Sequence, residues 1–135
     1  MEYHILREIM NGQKKRIKVL IVDDEECIRE CISDMLNERG FITETASNGK
    51  EALERVAQDK PDIIILDVTM PLMNGLQVCR QLKENPKQQT IPIIVFSAQE
   101  RIEYLFQGMP GATIKYVEKS CDLEYLVAQI NNLIA

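Results

Sequence analysis

Long apolar runs are missing from this chain. The longest, such as Ile63 to Leu66 and Ile93 to Phe96, are four or five residues, far short of the ~20 needed to cross a bilayer. Residues 1–16 alternate polar and apolar, so they hold no core of the ~7–15 apolar residues that a secretory signal requires. Histidine is almost absent: His4 is the only one, and the four cysteines (Cys27, Cys31, Cys79, Cys121) form no CxxC, which argues against zinc. Scattered cysteines without a disulfide framework fit a reducing, cytoplasmic compartment. Cys27 and Cys31, one helical turn apart beside Ile28 and Ile32, read as small buried hydrophobes. Excess positive charge is lacking too. Sixteen basic against twenty-one acidic residues leave −5, so no direct nucleic-acid binding is expected. The imbalance is uneven, with +3 over residues 1–18 and −8 over the remainder. A basic leader over 1–16, solvated and flexible, followed by one domain over 17–135, is the expected organisation. No internal repeat or low-complexity segment is visible.

What is present is a regular alternation of strand and helix signals. Lys18 to Val22 is a short, β-branched-rich apolar run of the kind buried on both faces. Apolar pairs at helical spacing follow from Glu25 (Cys27/Ile28, Cys31/Ile32, Met35/Leu36), with Gly40 as the stop. Phe41 to Thr45 is a more polar, edge-like strand. Ser47 or Asn48 caps a helix with inner face Ala52, Leu53, Val56 and Ala57, broken before Pro61. Asp62 to Leu66 is the most apolar strand and therefore the most central. Leu76, Cys79 and Leu82 line a third helix ending near Asn85-Pro86. Ile91 to Phe96, a short helix over Glu100 to Gln107, Thr113 to Val117, and a last helix lined by Leu123, Leu126, Val127 and Ile130 complete the chain. Strict alternation of this kind predicts right-handed crossovers and a parallel α/β sheet covered on both faces, a single doubly wound domain.

In such sheets ligands bind beyond the C-terminal strand ends. The first strand runs into Asp23-Asp24-Glu25-Glu26 and the third into Asp67. Acids opening a helix also match its dipole, and Asp67 alone reads equally as a turn residue. Together they bring three carboxylates to one edge, where they cannot all stay ionised without a cation. All-oxygen ligands at an open site suit Mg²⁺ (Mn²⁺ in its place), completed by a substrate phosphate. Ser97 and Lys119 end the fourth and fifth strand runs at the same edge. Carboxylates with a dication, one hydroxyl and one lysine are the parts for moving a phosphoryl group, and Asp67 is then the candidate nucleophile.

Four segments resemble the receiver domains of two-component response regulators: Val-Leu-Ile-Val-Asp-Asp (19–24), Pro-Asp-Ile-Ile-Ile-Leu-Asp-Val-Thr-Met-Pro-Leu-Met-Asn-Gly (61–75), Ile-Pro-Ile-Ile-Val-Phe-Ser-Ala (91–98) and Gly-Ala-Thr-Ile-Lys-Tyr-Val-Glu-Lys (111–119). The resemblance covers residues 17–135 and implies a flavodoxin-like (βα)5 fold with strand order 2-1-3-4-5. It also implies a signalling switch rather than a conventional enzyme. In it Asp67 accepts the phosphoryl group from a phosphohistidine on a sensor histidine kinase or histidine phosphotransfer protein. Asp24 would bind Mg²⁺ directly, Asp23 largely through water, and Thr69 through its backbone carbonyl. Ser97 and Lys119 would bind phosphoryl oxygens, and Tyr116 would turn inward as Ser97 moves. Thr69 and Gln99, each two positions after a site residue, would tune the lifetime of the phosphorylated state. Output to a downstream protein, or to a second copy of the chain, would run through the face of the fourth helix, fifth strand and fifth helix, where Ile102, Tyr104, Leu105, Phe106 and Tyr116 lie.

One position departs from the family pattern: Ser120 stands where proline usually follows the lysine. A cis bond costs about 3–4 kcal/mol before a non-proline residue, more than one solvated ion pair returns, so Lys119–Ser120 is expected to be trans. Two enzyme or cofactor readings fit poorly. A flavodoxin-type binder needs a phosphate loop where this chain has four acids, and Asp67-Val-Thr lacks the second acid of a haloacid-dehalogenase DxD motif. The remaining alternative is a receiver-like scaffold that works without phosphorylation. No second domain's worth of residues remains, so a stand-alone receiver or a piece of a larger regulator is expected.

Overall fold

The computed structural model describes residues 16–68, 74–98, 103–106 and 113–134. Five strands, β1 (Lys18–Val22), β2 (Ile42–Ala46), β3 (Ile63–Leu66), β4 (Ile93–Ser97) and β5 (Ile114–Glu118), form one sheet in the order β2-β1-β3-β4-β5. All four pairings are parallel. The helices are α1 (Glu26–Glu38), α2 (Gly49–Gln58), α3 (Gly75–Glu84) and α4 (Leu123–Ile134), with a 3-10 turn at Glu103–Phe106. This is the expected flavodoxin-like fold.

Period-two alternation sorts each central strand between two cores. Leu20, Val22, Ile64, Leu66, Ile93 and Val95 pack with α2 and α3, through Ala52, Val56, Val78, Cys79 and Leu82. Val19, Ile21, Ile63, Ile65, Ile94 and Phe96 pack on the other face with α1 and α4, through Ile32, Leu36, Leu126 and Ile130. All four residues of β3 are buried, whereas β2 at the edge is mostly half-exposed. Continuous apolar runs and a polar edge were therefore sound guides to strand position.

Helix ends follow their local chemistry. Asn48 accepts from the Glu51 backbone N–H at the start of α2, so it and not Ser47 is the cap. Asn74 and Gln77 form a reciprocal capping box at the start of α3, which satisfies two otherwise orphaned N–H groups. Gly40 takes φ +90°, the left-handed conformation that ends α1 and that side chains resist.

Three expectations need correction. Cys27 and Cys31 are both exposed, because α1 turns Ile28, Ile32, Met35 and Leu36 toward the sheet and leaves the cysteines beside that stripe. Ala57 is exposed as well, so the inner face of α2 is narrower than its apolar spacing suggested. The fourth helix is only a 3-10 turn within its described part, from which Phe106 alone is known to be buried. Ile102, and the side chains of Tyr104 and Leu105, lie outside the described residues, as do residues 1–15 of the leader, Thr69 and Gln99.

Candidate functional site

The sheet delivers its polar residues to one edge by extending its hydrogen-bond ladders past the strands. Asp23 follows β1 and donates its N–H to the Ala46 carbonyl at 3.1 Å. Asp67 follows β3, and its N–H reaches the Val22 carbonyl at 2.9 Å. Lys119 follows β5, and its N–H reaches the Ser97 carbonyl at 2.9 Å. Each residue is thus fixed by backbone before any side-chain contact forms.

The side chains then converge. Lys119 Nζ lies 2.9 Å from Asp23 Oδ2 and 3.4 Å from Asp67 Oδ2. Both carboxylates are only 2% exposed, as is Ser97. Burial works against the lysine charge, but the hydrogen bond to Asp23 and the charges of Asp67 and Asp23 outweigh it and raise the Lys119 pKa above the ordinary lysine range. Lys119 is therefore a firm cation. Among the described residues no peptide bond is cis, so Lys119–Ser120 is trans as expected, and the lysine reaches both acids regardless.

Oxygens of Asp23, Asp24 and Glu25 lie within 4.8 Å of one another, with Asp23 buried and the other two exposed. Asp23 Oδ1 accepts the Glu25 backbone N–H at 2.9 Å, folding the loop back on itself. One lysine between two buried carboxylates leaves negative charge over, and Asp24 and Glu25 add to it. A hard, all-oxygen donor set open to solvent on one side fits Mg²⁺. The structure thus brings together Asp23, Asp67 and Lys119, sets Asp24 beside them, and places Ser97 at the same strand edge.

Tyr116 sits within β5, before Lys119, half-buried, with its ring edge-on to Phe106 at a centroid distance of 5.6 Å. Burial raises its pKa, helped by Cys79 and Glu103.

Three site residues escaped the sequence reading. Glu25 was seen as part of an acidic run and not as a neighbour of Asp23 and Asp24. Arg29 donates from Nη1 to the Asp23 carbonyl at 2.8 Å, and a basic residue six positions on gives no such signal. Gly75 packs so tightly that a Cβ there would lie 2.2 Å from the Asp67 carbonyl oxygen and 2.8 Å from Val68 Cα. Its place in the Met-Asn-Gly segment was the available clue.

Residues 19–131 match the family model for the response regulator receiver domain. The chain belongs to the response-regulator receiver family. It is 38% identical over 118 residues to response regulator MprA of Mycobacterium leprae and 36% identical to that of Mycolicibacterium vanbaalenii, in each case over 87% of this chain. The chain spans about half the length of these relatives, 51% and 50%. Among solved structures it is similar to the Vibrio cholerae chemotaxis protein CheY4 (TM-score 0.81, 30% identity, 88% of this chain and 99% of that one). It is also similar to the Thermotoga maritima response regulator TrrA in complex with Mg²⁺-BeF (TM-score 0.76, 33% identity, 87% and 98%). Among the described residues no helix of this receiver is long and apolar enough to cross a membrane.

Proposed function

We propose that the chain is a phosphorylation-driven switch in which Asp67 takes a phosphoryl group from a phosphohistidine on a sensor kinase or phosphotransfer protein. The observation that carries this reading is the buried Asp23–Lys119–Asp67 bridge at the C-terminal edge of the sheet. A buried carboxylate held beside a cation is an oriented nucleophile, and phosphoryl transfer needs little from a protein beyond orientation and charge neutralisation. An Asp67 oxygen attacks phosphorus, a P–O bond forms, the P–N bond breaks, and the imidazole leaves. Lys119 turns from the carboxylates toward the incoming phosphoryl oxygens, and the Ser97 hydroxyl donates to another. Asp23, Asp24 and Asp67, with the Thr69 carbonyl, would hold Mg²⁺. The bound ion would supply charge neutralisation for the acids and the phosphoryl oxygens. The Mg²⁺-BeF complex of the similar TrrA supports this assignment.

Thr69 and Gln99 would set the rate at which water removes the phosphoryl group, and Tyr116 would follow Ser97 in the switch. Residues 1–16 would remain a basic arm outside this chemistry. The test is intact-mass measurement after incubation with acetyl phosphate and Mg²⁺. One added phosphoryl group is expected, absent with EDTA and absent in Asp67→Asn. Modification that survives either control would refute the site assignment, and a wild type that takes up no phosphoryl group would favour a scaffold that works without phosphorylation.

A further inference from the structure

We infer that Arg29 is a positioning residue for the metal-binding loop: by holding the Asp23 carbonyl from α1, it sets the orientation in which the loop presents Asp23 and Asp24 to a divalent cation. The inference rests on the reading that this edge binds Mg²⁺.

Every polar group of Asp23 is engaged. Its N–H goes to Ala46, its Oδ1 to the Glu25 N–H, its Oδ2 to Lys119, and its carbonyl to Arg29 Nη1 at 2.8 Å. The Lys119 contact must loosen if that lysine turns to a phosphoryl group. The Glu25 contact is internal to the loop. Ala46 fixes only the strand side of the peptide. Arg29 is therefore the tie between this loop and the body of α1 that persists through the reaction. Its own backbone N–H donates to the Glu25 carbonyl at 3.1 Å, so one residue grips the loop from both ends.

The arginine is half-buried and lines a polar groove with Glu26, Glu30, Ser33, Asp34 and Thr45. Three carboxylates line that groove beside it, and what the loop takes from the arginine is a donor on the Asp23 carbonyl. Outer partners that orient metal ligands are commonly worth 10–100-fold in metal affinity.

Charge and positioning predict opposite signs, which makes the role testable. On Coulomb's law alone, removing a cation beside a metal site strengthens metal binding. Positioning predicts that binding weakens. The experiment is calorimetric titration of the full chain with MgCl₂, on wild type, Arg29→Met and Arg29→Lys, with thermal unfolding of each. Arg29→Met is expected to bind Mg²⁺ roughly tenfold more weakly, the lower end of the outer-partner range, while remaining folded. Arg29→Lys, which keeps the charge and a donor, is expected to recover affinity to within about threefold of wild type. Equal or tighter binding by Arg29→Met overturns the inference, as does loss of its fold or failure of Arg29→Lys to recover. A wild type that takes up no Mg²⁺ overturns the metal-site reading itself, and this inference with it.

Discussion

At the residue scale, Gly75 shows how a site can depend on an atom that is missing. The first residue of α3 rests on the backbone of Asp67 and Val68, and its own N–H donates to the Val68 carbonyl at 3.0 Å. Alanine is the better helix former by about 1 kcal/mol, so propensity alone would favour Gly75→Ala. The added methyl meets backbone at 2.2 Å, not the yielding end of a side chain, and overpacking of that kind costs typically 1–3 kcal/mol. The steric term wins. Gly75→Ala is expected to lower stability by about 1–3 kcal/mol and to slow phosphorylation of Asp67, since the displaced backbone carries the acceptor. Urea denaturation and the rate of acetyl-phosphate labelling measure the two effects. Wild-type values for both would mean that the turn gives way freely.

The helices show which signals in the sequence held information and which did not. Apolar spacing placed Cys79 inside α3 correctly and Cys27 and Cys31 inside α1 wrongly, although all three are the same residue type. The difference is geometric: Cys79 lies between Val78 and Leu82 on the buried face, while the α1 cysteines lie one position off theirs. Lys83 gave no signal at all. A lysine on an amphipathic helix reads as solvent-facing, yet this one is 1% exposed and donates to the Gln89 and Ile91 carbonyls, both at 2.8 Å. The loop into β4 wraps over the end of α3, and a contact of that kind is tertiary, outside any local pattern. The strand-terminal Asp23, Asp67, Ser97 and Lys119 were legible because each ends a strand run at a fixed topological place, the first three after apolar residues. Glu25, Arg29 and Gly75 were not, because their roles depend on backbone approach.

Burial in α3 also has a pH signature. The Cys79 thiol is pushed up to about 11 by burial, against a smaller opposing pull from the charge of Lys83. The folded chain keeps that proton while the unfolded chain loses it, so stability falls as pH rises from the ordinary thiol range toward 11. Burial moves Lys83 the other way, lowering its pKa, and its contribution rises with pH over its own window. Cys79→Ala removes the first effect, together with the lesser charge by which Cys79 raises the Lys83 and Tyr116 pKa values. The variant should be less stable than wild type at about pH 7, where it merely leaves a cavity. That gap should narrow at about pH 10, where wild type alone bears the thiol penalty. Paired urea melts at the two pH values check this, and a constant gap would show that Cys79 does not titrate differently in the two states.

Across the whole molecule, the question is how a change at Asp67 reaches a surface. The ladders that assemble the site also connect it to the sheet edge. β4 and β5 pair from Ile93↔Ile114 through Ser97↔Glu118, and the bond from the Lys119 N–H to the Ser97 carbonyl continues that pairing into the site. A displacement of Ser97 or Lys119 is therefore passed directly to β5, the edge strand that carries Tyr116. Tyr116 in turn packs edge-on against Phe106 of the 3-10 turn. On the opposite flank, β2 lies two strands from β3 and is tied to β1 by the Lys18–Glu44 ion pair. The described contacts therefore join the site to β5 and Phe106. Adding beryllofluoride with Mg²⁺ is expected to shift the backbone amides of Tyr104 and Tyr116 well beyond those of the β2 strand. If the two tyrosine amides stay in place while Asp67 and Ser97 respond, the signal stops at the site, and the face of the fourth helix, fifth strand and last helix is not its outlet.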